Sequence, residues 1–311
     1  MALNIDFVTA LVKLLDKNYF NEKTFNIFIS TKAAKAFIEH ENIMGRRVSI
    51  RDIREELKRL FKYQYYEDRF NFYILKNNLE SLKRDIDYIQ NNGEEIVKDA
   101  LNRIYKMVSE NVEIITNIYL YAGGPDGGFT VSRKEVYINI LNFLGNREEL
   151  IKLLSHELYH SRKIPLIYKA RFNTRLVFAR KRYAYGILAR IIEEGIACLI
   201  QHGPILFKDD VSGSLTRRNL SLSKSHFKML NETLENIKFG NFHKVKINSL
   251  NIYAIGYTIA VTIYNHKGTN LLDQWTLTLN FKNIIKEYME LCKSNKGLPK
   301  IDGGAINWIL Q

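Results

Sequence analysis

Apolar residues recur at helical spacing from Ile5 to Ser109, interrupted by short polar stretches at Asn18 to Glu22, around Gly45 and at Asn91 to Gly93. This pattern predicts a succession of amphipathic helices. The four prolines, Pro125, Pro165, Pro204 and Pro299, lie near glycine or at the ends of periodic segments, so long stretches are left open to helix. The texture changes at Val112. Glu113 to Tyr121 is rich in β-branched and aromatic residues and opens on the turn Gly123-Gly-Pro-Asp-Gly-Gly128, after which Glu135 to Ile140 forms a second such run. Two strands with a glycine-rich connection are the natural expectation. The fold class expected is therefore mainly α with a small β-sheet (α+β), divided into a helical N-terminal region over 1–110 and a second domain over 111–311.

Composition narrows the class. A hydrophobic share of 46% over 311 residues is enough for a full core. Two cysteines, Cys198 and Cys292, make neither a disulfide framework nor a paired zinc-ribbon spacing. Met1 to Phe20 carries Asp6 within its apolar run and lacks the pattern of a secretory signal. The longest nearly apolar window, Ile252 to Tyr264, falls short of the roughly 20 residues that span a bilayer. A soluble, cytoplasmic protein with no membrane span is expected. Its net charge of +13 admits nucleic acid, anionic surfaces or acidic substrates as partners without naming one.

The chemistry sits on a helix. Asn146-Arg-Glu-Glu149 has the form of an N-cap with an acid at the third helical position, and the helix it starts is expected to run to Lys163, ahead of Pro165. Within it stands Ser155-His156-Glu157-Leu158-Tyr159-His160. Residues four apart share a helical face, so His156 and His160 can present two imidazole nitrogens to one metal ion, and Glu157 can reach a water beside it. This is the HExxH arrangement of zinc hydrolases. A catalytic zinc takes three protein ligands. The metzincin continuation is excluded, because Lys163 and Leu166 occupy its glycine and third-histidine positions, and no cysteine precedes His156 to supply a deformylase-type site. What remains is a glutamate from a later helix, and Ile191-Ile-Glu-Glu-Gly-Ile-Ala-Cys198 provides one. Glu193 and Glu194 lie in a stretch apolar nearly all round, a costly place for two carboxylates. One can be a ligand, or both can pair with arginines such as Arg190. Gly195 and Ala197 are small enough to let this helix approach the motif helix closely.

His156-Glu-x-x-His160 followed by Glu194-Gly-Ile-Ala197 resembles the gluzincin clan of metallopeptidases. The wider layout is similar to an uncharacterised family of zinc-dependent peptidases: Asn4-Ile-Asp-Phe7, the glycine-rich turn, a strand, the motif helix, and Gly256-Tyr-Thr-Ile-Ala260 with Gly268 beyond it. The resemblance implies a gluzincin-like zincin catalytic domain in which His156, His160 and Glu194 bind one catalytic Zn2+ ion and Glu157 is the general base. It also implies cleavage of peptide or protein substrates. Two departures stand out. Cys198 replaces an aspartate that supports a motif histidine in several gluzincins, and the Gly-x-Met-Glu-Asn segment that reads a substrate amino terminus is absent.

The oxyanion of such a reaction needs a donor beside the metal. Tyr257, on a Tyr253-Tyr257-Tyr264 stripe of the helix expected over Asn251 to His266, is the candidate, with His226 and His243 as alternatives. In this clan the strand Glu135 to Ile140 would border the cleft and accept substrate by strand addition. Between Ser161 and Ile192 there is no acid, while Arg162, Lys163, Lys169, Arg171, Arg175, Arg180, Lys181, Arg182 and Arg190 alternate with aromatics that include Tyr168, Phe172, Phe178 and Tyr183. A solvated face, a patch for acidic substrates, and single-stranded nucleic acid are all open to such a segment. Two rival functions follow: a basic binding protein with a structural or degenerate zinc site, and a zinc hydrolase of non-peptide amides or esters.

Overall fold

Aromatic packing decides where the small sheet belongs. In the computed structural model, which describes residues 1, 3–131, 134–177, 179–211, 213–245 and 247–311, Tyr121 on the sheet packs edge-to-face against Phe7 and tilted against Phe37, and Phe129 lies beside Tyr121. Phe28 and Phe72 close the same cluster. Burial of such rings dominates the energetics of a small core. The N-terminal helices and the sheet accordingly fall in one unit, made of residues 1–102 and 114–161, and the second unit comprises 103–113 and 162–311. A division at residue 110 does not follow the packing, because the sheet's apolar face is covered by the helices that precede it.

The first unit carries α1 (Asp6–Leu15), α2 (Glu22–Ser30), α3 (Lys32–Ile43), α4 (Ile50–Lys62), α5 (Phe72–Asn77), most of α6 (Leu79–Met107) and α7 (Arg147–His160). The polar break at Asn91 to Gly93 is a kink in α6, where Asn92 leaves helical geometry. The sheet runs β1 (Leu3–Asn4), β2 (Asn117–Tyr121), β3 (Gly128–Val131) and β4 (Glu135–Asn139), in the order β1-β2-β4-β3. β1 and β4 pair parallel to β2, and β3 pairs antiparallel to β4. This corrects one expectation: β4, in the run Glu135 to Ile140, is an interior strand flanked by β2 and β3, and the edges of the sheet are β1 and β3. The glycine-rich turn leads into β3 instead of joining β2 directly to β4. Gly123 and Gly124 both have positive φ there, and a Cβ on Gly123 would meet the Phe72 ring at 2.8 Å.

The second unit consists of α8 (Leu166–Thr174), α9 (Ala179–His202), α10 (Arg217–Ser221), α11 (Ser223–Lys238), α12 (Ile252–Lys267), α13 (Thr269–Thr278), α14 (Lys282–Ser294) and α15 (Gly303–Leu310). The mainly helical fold with a small sheet is as the pattern implies. Phe178 of the basic segment lies outside the described residues. Among the described residues, no helix is long and apolar enough to cross a membrane.

The tightest crossing in the second unit joins α9 to α12 at Gly195 and Gly256. A Cβ on Gly256 would collide with the Ile191 carbonyl oxygen, and one on Gly195 with the Gly256 backbone. The small residue after Glu194 thus serves the contact with α12. Replacing Gly256 by Ala should cost about 3 kcal/mol or more, as overpacking against backbone does. Gly186→Ala on α9, where a Cβ meets nothing within 4 Å, should instead gain roughly 0.5–1 kcal/mol. Denaturant midpoints of the two variants check the pair, and an unchanged midpoint for Gly256→Ala would contradict the crossing.

Candidate metal centre

The motif helix begins where its sequence says. The Asn146 side chain accepts from the Glu149 backbone N–H at 3.3 Å, and Glu148 and Glu149 place negative charge at the first turn. It ends at His160, three residues short of the expected Lys163 and well ahead of Pro165, with the Ser161 backbone N–H donating to Leu158. His156 is buried and His160 half-buried, with ring centroids 4.9 Å apart on one face. Glu157 is 8% exposed and turns toward β3, where the Thr130 hydroxyl donates to its Oε2 at 3.2 Å. Gly128 makes room for it: a Cβ there would lie 3.2 Å from Glu157 Cγ. Thr130 carries no signal of its own in the sequence, since a four-residue strand is too short for its alternation to stand out.

In the second unit the first of the two adjacent carboxylates on α9, Glu193, has partners of its own. Arg162 is 1% exposed, and its Nη1 and Nη2 each donate to one Glu193 oxygen at 2.6 Å. Its Nε donates to the Thr276 carbonyl at 3.0 Å, and the Trp275 indole N–H donates to Glu193 Oε2 at 2.6 Å. Glu193 is thus engaged through both oxygens by Arg162 and Trp275, while Arg190 is exposed. The arginine partner is real, but it is a residue the charge pattern had grouped with a solvated face. Trp275 was not singled out; a buried indole N–H needing an acceptor is the signal that would have found it.

Glu194, one residue on, is half-buried. One turn later Cys198 is buried in a cluster with Leu215, Ala254 and Tyr257. Burial lifts its thiol well above the usual range, and the negative charges of Glu194 and Asp210 add to the effect. A neutral thiol stands where the resemblance would place an aspartate, so Cys198 is a packing residue. Tyr257 belongs to the same cluster, and its hydroxyl donates to the Gly203 carbonyl at 2.8 Å, just past the C-terminus of α9. Burial pushes this phenol up as well. An oxyanion role for Tyr257 would require that bond to break. His226 is half-buried on α11, where burial lowers its pKa, and His243 is exposed in the turn Phe242–Lys244.

One further cluster of ligand-type groups lies within the first unit. His40, Glu41 and Asp126 offer donor atoms within 4.8 Å of one another. Arg46 already supplies the cation, pairing with Glu41 at 2.7 and 2.9 Å and with Asp126. The His40 hydrogen bond, followed by Arg46, holds the Asp126 carboxyl below its usual range. The cluster pins the glycine-rich turn and has its charge satisfied.

A family model described as "Putative zinc dependent peptidase (DUF5700)" matches residues 25–297, and the chain belongs to that family. No curated protein and no solved structure matches.

Removing one partner of a buried pair leaves an uncompensated charge, which typically costs about 3–5 kcal/mol. Arg162→Met is expected to destabilise by that amount in denaturant unfolding. Arg162→Met combined with Glu193→Leu should recover part of the loss, giving non-additivity of about 1 kcal/mol or more. Strict additivity would show that the pair does not interact.

Proposed function

We propose that the protein is a zinc-dependent peptidase in which His156, His160 and Glu194 hold one zinc ion and Glu157 is the general base. The observation that carries the reading is the motif helix itself: two imidazoles share one face, and the intervening carboxylate is turned away and held by Thr130. The donor set of two imidazoles and one carboxylate suits zinc with a position left for water. Glu193 is engaged by Arg162 and Trp275, and the ligand role is proposed for its neighbour Glu194. The gluzincin-like assignment rests on the same residues.

Zinc, when bound, supplies the Lewis acidity that activates a water and polarises a scissile carbonyl. Glu157 takes the proton of that water and passes it to the leaving amine, with Thr130 fixing the carboxylate throughout. An extended peptide can add to β3, the edge strand that also carries Thr130, pairing main chain with main chain. Such pairing reads backbone more than sequence, which favours peptides over non-peptide amides or esters. Arg171 and Arg180 to Arg182 are exposed, and with the half-buried Lys169 they would favour acidic substrates. Arg162 and Lys163, by contrast, pair with Glu193 and Glu113, which weakens the case for a continuous nucleic-acid surface.

Glu157→Gln should retain zinc and lower the rate of cleavage of an unstructured peptide at least about 100-fold. Full activity in that variant would remove the base. Thr130→Val should lower kcat roughly tenfold with little change in KM, the size of one lost charge-assisted hydrogen bond. A change confined to KM would assign Thr130 to substrate binding.

A further inference from the structure

A pocket lies within the second unit, and none of the proposed metal ligands lines it. It is a cavity of about 460 Å³ formed by the end of α8, the first half of α9 and the start of α12, within the range of small-molecule sites. Phe172, Leu176, Tyr183, Ile187, Ile247 and Ile252 supply apolar lining, and Arg182 and Arg190 line it as well. Both arginines are exposed, no acid occurs between Ser161 and Ile192, and among the described residues none lines the cavity.

Gly186 forms part of the wall. Glycine is the least favourable ordinary residue inside a helix, and it is normally tolerated for a positive φ or a close backbone approach. Neither applies here: Gly186 has ordinary helical φ and a Cβ on it would meet nothing within 4 Å. What the missing side chain provides is space in the cavity.

We infer that this cavity binds a medium-chain aliphatic carboxylate, with its tail between α8, α9 and α12 and its carboxylate at Arg182 or Arg190. The lining favours a plain hydrocarbon tail over a peptide. Most of its walls are side chains of α8, α9 and α12, whose backbone groups are committed to helical hydrogen bonds, so most amides of an inserted peptide would go unpaired. Arg182 and Arg190 stand eight residues, about 12 Å, apart along α9, so either guanidinium can take the carboxylate while the other adds its positive charge at the rim.

Calorimetric titration of the full chain with decanoate tests the assignment. Decanoate should bind saturably, and decanol and decyltrimethylammonium, with the same tail under a neutral or cationic head, should bind at least tenfold more weakly. Gly186→Leu, which fills the cavity, and the surface double variant Arg182→Ala/Arg190→Ala should each weaken decanoate binding at least tenfold while melting cooperatively. If Gly186→Leu does not fold, the arginine variant decides. Absence of saturable decanoate binding, equal binding of all three amphiphiles, undiminished binding by the variants, or a leucine-terminated peptide binding as tightly as decanoate would each overturn the inference. A metal chelator should leave decanoate binding unchanged, which separates this site from the zinc reading.

Discussion

The pairing of Arg162 with Glu193 is the constraint around which the second unit is arranged. A guanidinium buried to 1% exposure carries a large desolvation cost, which its attraction to a carboxylate offsets only when geometry and hydrogen bonding are nearly complete. Here they are: two parallel bonds of 2.6 Å to Glu193, one from Nε to the Thr276 carbonyl, and an indole donor from Trp275 onto the same carboxylate. The arrangement fixes the chain just past the motif helix, the middle of α9 and the end of α13 in one network. It also distinguishes the two adjacent glutamates, since Glu193 is engaged by Arg162 and Trp275 and the ligand role is proposed for Glu194.

Much of the local structure is legible in the sequence because short-range chemistry dictates it. Asn146 caps α7 and Asn251 caps α12 through side-chain bonds of the expected kind. The breaks near Asn18, Gly45 and Asn92 fall where polar residues interrupt the apolar stripe. What escapes is non-local. β1 has two residues and β3 four, too few for a period to register, and the placement of β4 between β2 and β3 depends on pairing that no local pattern specifies. Arg162 is indistinguishable by composition from the exposed arginines that follow it, because burial of one charge in a basic run is decided by its distant partner. The bond from Thr130 to Glu157 escapes for the same reason. Tyr257 is a similar case: the stripe of tyrosines is legible, but the bond from this member to a helix-terminal carbonyl is not.

The positive charge divides into three parts once the structure is considered. Arg162 is structural, Lys163 pairs with Glu113 at 2.8 Å, and the exposed remainder lies on and around α8 and the start of α9. Two of those exposed arginines flank an apolar cavity, which turns a diffuse excess of charge into a local feature with a definite geometry. Glycine usage on α9 and α12 follows the same division. Gly195 and Gly256 are required by a backbone crossing, whereas Gly186 has no packing need and borders open space.

The central claim is that two neighbouring carboxylates on α9 do different work, one holding Arg162 and the other holding zinc. Metal content and unfolding midpoint, measured together for Glu193→Gln and Glu194→Gln, test it most directly. The account predicts that the parent protein purifies with stoichiometric zinc, that Glu194→Gln loses the metal while keeping the fold, and that Glu193→Gln is markedly destabilised. Zinc retained in full by Glu194→Gln, or a Glu193→Gln protein as stable as the parent, would contradict it.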